Sequence, residues 1–333
     1  MPELRKDPIT ERWVIISSER GKRPSDWTIE QKPRERGGFC PFCPGNEDKT
    51  PPEVCAVRPG SEQKNAPGWK IRVVPNKFPA LQIEGEINRR GEGLYDLMNG
   101  VGAHEVIIET PNHLAELSDL EVDHIYETLL IFRERILDLK NDTRFKYILI
   151  FKNHGASAGA SLEHSHSQLI ATPIIPKRVL EEMQGAKKHF EFKERCIYCD
   201  IIHQEIQMSK RMVVRTDEYV SLEPFAPRFP FETWLLPVKH GSHFEAMELR
   251  EYYSLATVLK ETLSRLNRTL ENPHYNFMLH TSPVQEASLL EYHWHLEIIP
   301  KLTKVAGFEW GSGFYINPTP PETAAQHLRE AQI

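Results

Sequence analysis

No apolar run in this chain approaches the roughly 18–20 residues that a helix needs to cross a bilayer, so no membrane span is expected. The opening stretch, Met1 to Trp13, is polar and mixed in charge, and does not read as a secretory or transit leader. An excess of basic residues is also missing. The 41 Lys and Arg stand against 47 Asp and Glu, a net charge of −6, which argues against the broad positive footprint of a nucleic-acid binder. It leaves room for a local cleft of arginines around a phosphate. Cysteine is scarce, five in 333 residues, and four of the five form two CxxC pairs, Cys40/Cys43 and Cys196/Cys199. Without a leader, such pairs read as metal ligands before disulfides, and a soluble cytoplasmic protein is expected. Cys55 is left over and reads as structural.

What is present is a globular composition, 40% hydrophobic and 26% charged, long enough for two domains or for one built by duplication. The order of features favours duplication. The first half runs from Cys40-Pro41-Phe42-Cys43 to a strand-like Glu105–Thr110 that ends in Pro111-Asn112-His113. A helical apolar spacing follows from Leu117 to about Leu139, then a β-rich run, Phe145 to Phe151, and then His164-Ser165-His166. The second half repeats the order: Cys196-Ile197-Tyr198-Cys199, a strand over Phe231–Leu236 leading to Pro237-Val238-Lys239-His240, a helix from about Glu248 to Leu270, the strand Tyr275–Leu279, and His293-Trp294-His295. The expected architecture is α+β, with units at 1–180 and 190–333 joined by a charged, partly helical connection near Pro176–Glu191. The Gly- and Pro-rich stretch Thr303 to Pro321 is expected to cover a site and not to build core.

A CxxC turn offers two thiolates to a tetrahedral Zn²⁺ that takes two further ligands from elsewhere. The candidates are His113 and His164 for the first pair and His240 and His293 for the second, giving two Zn²⁺ sites per chain. His104 is a rival for the first site but has no counterpart in the second half. Alternation along a strand puts His164, His166 and Gln168 on one face. With His164 tied to zinc, His166 is a free imidazole on a rigid element, suited to attack phosphorus and to form a phosphoramidate that later breaks. Gln168 can donate an amide hydrogen bond to a phosphate oxygen. Upstream, Asn153-His154-Gly155-Ala156-Ser157-Ala158-Gly159-Ala160-Ser161 is a small-residue loop whose backbone N–H groups can approach an anion. The second His-x-His has Glu297 where Gln168 stands, and it lacks this loop, so the first copy reads as the active one.

These motifs together resemble the galactose-1-phosphate uridylyltransferase family of the histidine triad superfamily, over nearly the whole chain from Asp7-Pro8-Ile9-Thr10 onward. The resemblance implies a pair of antiparallel half-barrel sheets packed with helices, commonly assembled as a homodimer. It implies a ping-pong exchange in which a UDP-hexose gives UMP to a histidine and a second hexose-1-phosphate collects it. Position by position, His166 matches the nucleophile and Gln168 the residue that binds the transferred phosphate. Cys40, Cys43, His113 and His164 match the family's first zinc site. Arg20 and Arg23 match arginines that reach the substrate from a neighbouring subunit, and Asn76, Asn153 and Ser161 match positions that contact nucleotide and phosphate. Three departures stand out: Ser165 in place of proline, the second CxxC, and a different pattern at Gly307–Gly313. They resemble a branch of which some members transfer AMP. The expected function is hexose-1-phosphate uridylyl transfer between a nucleotide sugar and a sugar-1-phosphate. The alternatives are an adenylyltransferase or ADP-sugar phosphorylase on the same fold, a histidine-triad hydrolase, and a zinc-stabilised nucleotide-binding module without turnover.

Overall fold

The computed structural model describes residues 1–19, 38–61 and 63–333. In chain order its elements are β1 (Glu3–Lys6), β2 (Trp13–Ile16), β3 (Cys55–Val57), β4 (Ile71–Pro75), β5 (Arg90–Glu92), β6 (Tyr95–Leu97), β7 (Ala103–Ile108), α1 (Val122–Leu139), β8 (Tyr147–His154), β9 (His166–Thr172), α2 (Lys177–Lys193) and α3 (Ile197–Met208). There follow β10 (Met212–Arg215), β11 (Tyr219–Leu222), β12 (Thr233–Pro237), α4 (Leu249–Leu270), β13 (Tyr275–His280), β14 (His295–Pro300), α5 (Gly307–Ser312), β15 (Tyr315–Asn317) and α6 (Pro321–Glu330). Among the described residues no helix is long and apolar enough to cross a membrane.

Ten of the strands form one antiparallel sheet in the order β10-β11-β12-β14-β13-β8-β9-β7-β4-β3. Read outward from the central β8–β13 pair, the two wings match strand for strand: β9 with β14, β7 with β12, β4 with β11. The duplication expected from the motif order is therefore written into the topology. The two half-sheets are not separate, because Tyr275–Leu279 of β13 pairs with Ile150–His154 of β8.

One face of this sheet is apolar. Ile71, Val73, Ile107, Ile148, Ile150, Leu169, Phe277, Leu279, Leu296 and Ile298 meet the buried stripes of α1 and α4 there. The 3.6-residue spacing of Tyr252, Leu255, Ala256, Leu259, Leu263 and Leu266 makes α4 amphipathic, and a reciprocal Glu248–Glu251 capping box fixes its start. The sequence places the first long helix from Leu117; a short 3₁₀ turn, Leu117–Asp119, and a break precede the α-helix proper.

The other face carries the chemistry. Over its second half lie α2 and α3, with Ala186, Ile197 and Ile202 against Val220, Leu222, Trp234 and Leu236. β1, β2 and β15 form a three-stranded sheet with β2 in the middle, and Arg5 reaches Glu322 of α6 at 2.9 Å, so the chain's first residues lie against its last. Thr303–Pro321 is thus partly built in: α5 is exposed, but β15 pairs parallel with β2 and Asn317 is fully buried.

Candidate functional site

Registers show which side chains share the site face. His166 lies opposite Ile108, Gln168 opposite Val106, and Gln168 also opposite Phe151. Val74 lies opposite Val106 and Asn153 opposite Asn276. Because directly opposed residues project to the same side and alternate residues do so along a strand, Asn76, His104, Asn153, His166 and Gln168 all stand on one face. Ser165 and Ser167 project to the other.

The first cysteine pair sits above this face. Cys43 Sγ is 3.3 Å from His113 Nδ1 and 3.6 Å from His164 Nδ1, and Cys40 Sγ is 3.7 Å from His164 Nδ1. Zn–S and Zn–N bonds of ordinary length in a tetrahedron place S and N about 3.6 Å apart, so the donor set fits zinc. His164 Nε2–H donates to the Thr110 carbonyl at 2.7 Å, which turns the Nδ1 lone pair to the cluster. Burial pushes this imidazole down to about 4, so it is neutral, as a ligand must be. The second set repeats the geometry. Cys199 Sγ is 3.5 Å from His240 Nδ1 and 3.6 Å from His293 Nδ1, with the two Nε2–H groups donating to Leu289 and Pro237 carbonyls at 3.1 and 3.0 Å. Both groups, Cys40–Cys43–His113–His164 and Cys196–Cys199–His240–His293, have their donor atoms within 4.8 Å of one another and can hold a metal ion.

His104 joins neither group. Its Nδ1 accepts the Ala80 N–H at 3.1 Å and its Nε2 lies 2.9 Å from Gln168 Oε1.

His166 opens β9. Its Nδ1–H donates to the His164 carbonyl at 2.8 Å, and the Phe42 ring stands edge-on at 5.3 Å between centroids. Burial holds the imidazole below the usual histidine range, with the Lys152 ammonium adding to the effect, so the ring is neutral at pH 7. Its Nε2 has no hydrogen-bond partner among the described residues. Beneath the strand lies a network that motif reading missed. Lys152 Nζ donates to Glu109 Oε2 at 2.5 Å, Ser165 Oγ at 2.9 Å and the His166 carbonyl at 3.1 Å. Ser165 and Ser167 each donate to Glu109 at 2.6 Å. Two serines on the strand face that should meet an apolar core were the available signal.

The small-residue loop turns at Gly155 and Gly159, with φ of 80° and 87°. A Cβ at Gly155 would run into the His274 ring, which accepts the Ser157 N–H at 3.2 Å. Asn276 Nδ2 donates to Asn153 Oδ1 and to the Ala158 carbonyl, both at 2.8 Å, so Asn153 also anchors the loop. Ser161 is exposed at the loop's end. Arg20 and Arg23 lie outside the described residues.

The second His-x-His is closed. His295 is 1% exposed, against 8% for His166, and stacks on His280 at 4.8 Å under Tyr198 and Trp234. Glu182, His280, His295 and Glu297 form a third donor group within 4.8 Å, also missed in the sequence. Here Glu182 pairs with His280 at 3.0 Å and Glu297 with Arg228 at 2.5 Å. Burial alone would raise the Glu297 carboxyl, but Arg228 and His280 hold it well below the usual range.

Residues 1–176 match the family described as galactose-1-phosphate uridyl transferase, N-terminal domain, and residues 182–330 match its C-terminal domain. An ADP-glucose phosphorylase of Arabidopsis thaliana is 40% identical over all of this chain and 93% of its own length. A galactose-1-phosphate uridylyltransferase of Thermotoga maritima is 30% identical over all of this chain and 99% of its own. The crystal structure of an Arabidopsis thaliana ADP-glucose phosphorylase with bound ADP-glucose superposes with a TM-score of 0.86 at 38% identity, covering 100% of this chain and 99% of that one. The free imidazole beside a Cys₂His₂ group, on a duplicated sheet matched from end to end, places this chain in the galactose-1-phosphate uridylyltransferase family, as an enzyme of the nucleotidyltransferase class.

Proposed function

We propose that the chain moves a nucleoside monophosphate between a nucleotide sugar and a phosphate-bearing acceptor by way of His166. The observation that carries this reading is the state of that ring: Nδ1–H is committed to the His164 carbonyl at 2.8 Å, and Nε2 has no hydrogen-bond partner among the described residues. In the first half-reaction Nε2 attacks the nucleotide's α-phosphorus. The P–O bond to the sugar phosphate breaks, and sugar-1-phosphate departs with the bonding pair. The imidazolium formed keeps its proton on Nδ1, where the His164 carbonyl accepts it. In the second half-reaction the acceptor's phosphate oxygen attacks the same phosphorus and the N–P bond breaks. Gln168 donates to the phosphate oxygen that gains charge, and Asn76, Asn153 and Ser161 line the nucleotide and phosphate. Zn²⁺ at Cys40, Cys43, His113 and His164, and at Cys196, Cys199, His240 and His293, supplies rigidity when bound. Residues 1–180 form the catalytic unit and 190–333 the supporting one, in a cytoplasmic homodimer whose Arg20 and Arg23 reach the neighbouring subunit's substrate.

For the base, the family supports uridylyl transfer with hexose-1-phosphate as acceptor. A second reading, adenylyl transfer, is favoured by the higher identity to the ADP-glucose phosphorylase, 40% against 30% for the uridylyltransferase. The deciding experiment exposes the protein to UDP-glucose and ADP-glucose labelled at the α-phosphate. The nucleotide that labels the protein names the base. The adduct should be acid-labile and base-stable, and His166→Gly should abolish it while keeping the metal. Parallel double-reciprocal lines are expected with varied donor and acceptor; intersecting lines, or labelling that survives His166→Gly, would overturn the reading. Arg23→Ala should raise the KM for the nucleotide sugar, and an unchanged KM would leave the arginine as surface.

A further inference from the structure

The Gln168 amide can do its work only if its NH₂ end, and not its carbonyl, faces the phosphate. The two ends are nearly the same size, so something must choose between them. The choice can be traced through hydrogen bonds back to a main-chain group. The Ala80 N–H can only donate, and it meets His104 Nδ1 at 3.1 Å. That ring nitrogen must therefore be the acceptor, and the ring proton sits on Nε2. Nε2–H then faces Gln168 Oε1 at 2.9 Å and demands an acceptor there. The Gln168 NH₂ is turned the other way and has no hydrogen-bond partner among the described residues. Resting on the reading of Gln168 given above, we infer that His104 is a positioning residue of the reaction, which locks the Gln168 side chain with its NH₂ toward the transferred phosphate.

Two further observations support the assignment. His104 also ties in the loop that follows β4, by its main-chain carbonyl as well as by its ring. Asn76 N–H donates to the His104 carbonyl at 2.8 Å, and Asn76 Nδ2 is 3.1 Å from His104 Nε2. Asn76 Oδ1 is taken by the Phe78 N–H at 2.9 Å, so the Asn76 NH₂ meets a nitrogen that already carries a proton and is left for a ligand. His104 Nε2–H thus sets the polarity of the Gln168 amide, while the Phe78 N–H sets that of Asn76. The inactive half supplies the contrast. Trp234 lies opposite Glu297 as Val106 lies opposite Gln168, so Glu232 holds the place of His104. There Arg228 bridges the two carboxylates, at 2.9 Å to Glu232 and 2.5 Å to Glu297, and no amide is presented.

The test is a double-mutant cycle on the full-length, metal-loaded protein, read by the rate at which α-phosphate-labelled nucleotide sugar modifies His166. His104→Leu removes the donor and should slow nucleotidylation about 10- to 100-fold with KM changed less than about threefold, because the lost bond acts only as charge builds on the phosphate. His104→Gln, whose amide can present an N–H to Oε1, should recover most of the rate. Combined with Gln168→Ala, His104→Leu should cost nothing further, since it acts through the residue already removed. Rates that multiply in the double variant, or a His104→Gln as slow as His104→Leu, would overturn the inference while labelling of His166 leaves the parent reading intact. Absence of His166 labelling in the unmodified protein would instead defeat the parent reading, and the inference with it.

Discussion

Replacing Lys152 by methionine isolates the network beneath His166. The Lys152 and Glu109 side chains are 1% and 0% exposed, and their 2.5 Å ion pair is the only charged contact Glu109 makes among the described residues. Methionine keeps the stem's volume but leaves a buried carboxylate with only the Ser165 and Ser167 hydroxyls as side-chain partners among the described residues. Breaking a buried pair in this way costs about 3–5 kcal/mol. In a protein of this size, at about 2 °C per kcal/mol, that is a fall in Tm of about 6–10 °C. The pH dependence gives a second reading. Burial would raise the Glu109 carboxyl, but Lys152 outweighs it and holds the group below its usual range. In the unmodified protein this stability is present above the unfolded carboxyl value of about 4.3 and is lost as pH falls through the depressed folded value. In Lys152→Met burial is opposed only by the two serine hydroxyls and not by an ion pair, so the deficit should be largest at neutral pH and shrink as the carboxyl takes up a proton on acidification. Thermal unfolding of both proteins between pH 5 and pH 8 reads this directly, and Lys152→Met with Glu109→Gln should regain at least half the loss. A variant within about 2 °C of the parent at pH 8, or a deficit that does not change with pH, would refute the assignment.

Cys40→Ser and His164→Asn should each lower metal content by one ion per chain and lower Tm together with activity, because metal binding is coupled to folding. Cys196→Ser should lose one ion and stability while the remaining protein still accepts label on His166; elemental analysis with labelling separates the two cases. Gly185→Ala should destabilise the chain by about 1–3 kcal/mol, since the added methyl would stand 1.8 Å from the Ile9 carbonyl oxygen, a backbone atom that cannot swing aside. Denaturant unfolding checks this, and an unchanged midpoint would show that α2 and the first residues do not pack as described.

Much of this was open to a reader of the sequence because the candidate ligands and the proposed nucleophile are announced by spacing. CxxC and His-x-His recur in order, with Pro-x-His in the first half answered by Pro-x-x-His in the second, and the structure brings each candidate donor set together. The long helices α1 and α4 and the two central strands lie where apolar periodicity places them, to within a few residues, whereas α3, α5 and α6 were not anticipated. What spacing cannot announce is a partner chosen across the sheet. His104 is 64 residues from Gln168, and as a histidine near a cysteine motif it read as a rival ligand; only the β7–β9 register shows that it faces an amide. Lys152 stands just beyond the β-rich run Phe145–Phe151, and Glu109 near the end of the run Glu105–Thr110. Their pairing depends on strand order. The joining of the half-sheets was also hidden, since nothing in either half's pattern says which strand lies at its edge.

That seam has a mechanical consequence. Five consecutive residues of β8 and β13 share a ladder at the centre of the sheet, with Phe277 set against Lys152 and Asn276 against Asn153. Either half made alone would present this central strand as a raw edge, an invitation to bind a second copy or to aggregate. The two halves should therefore melt as one cooperative body, with a single heat-absorption peak. The second half then acts as a splint, holding straight the strand from which the small-residue loop springs.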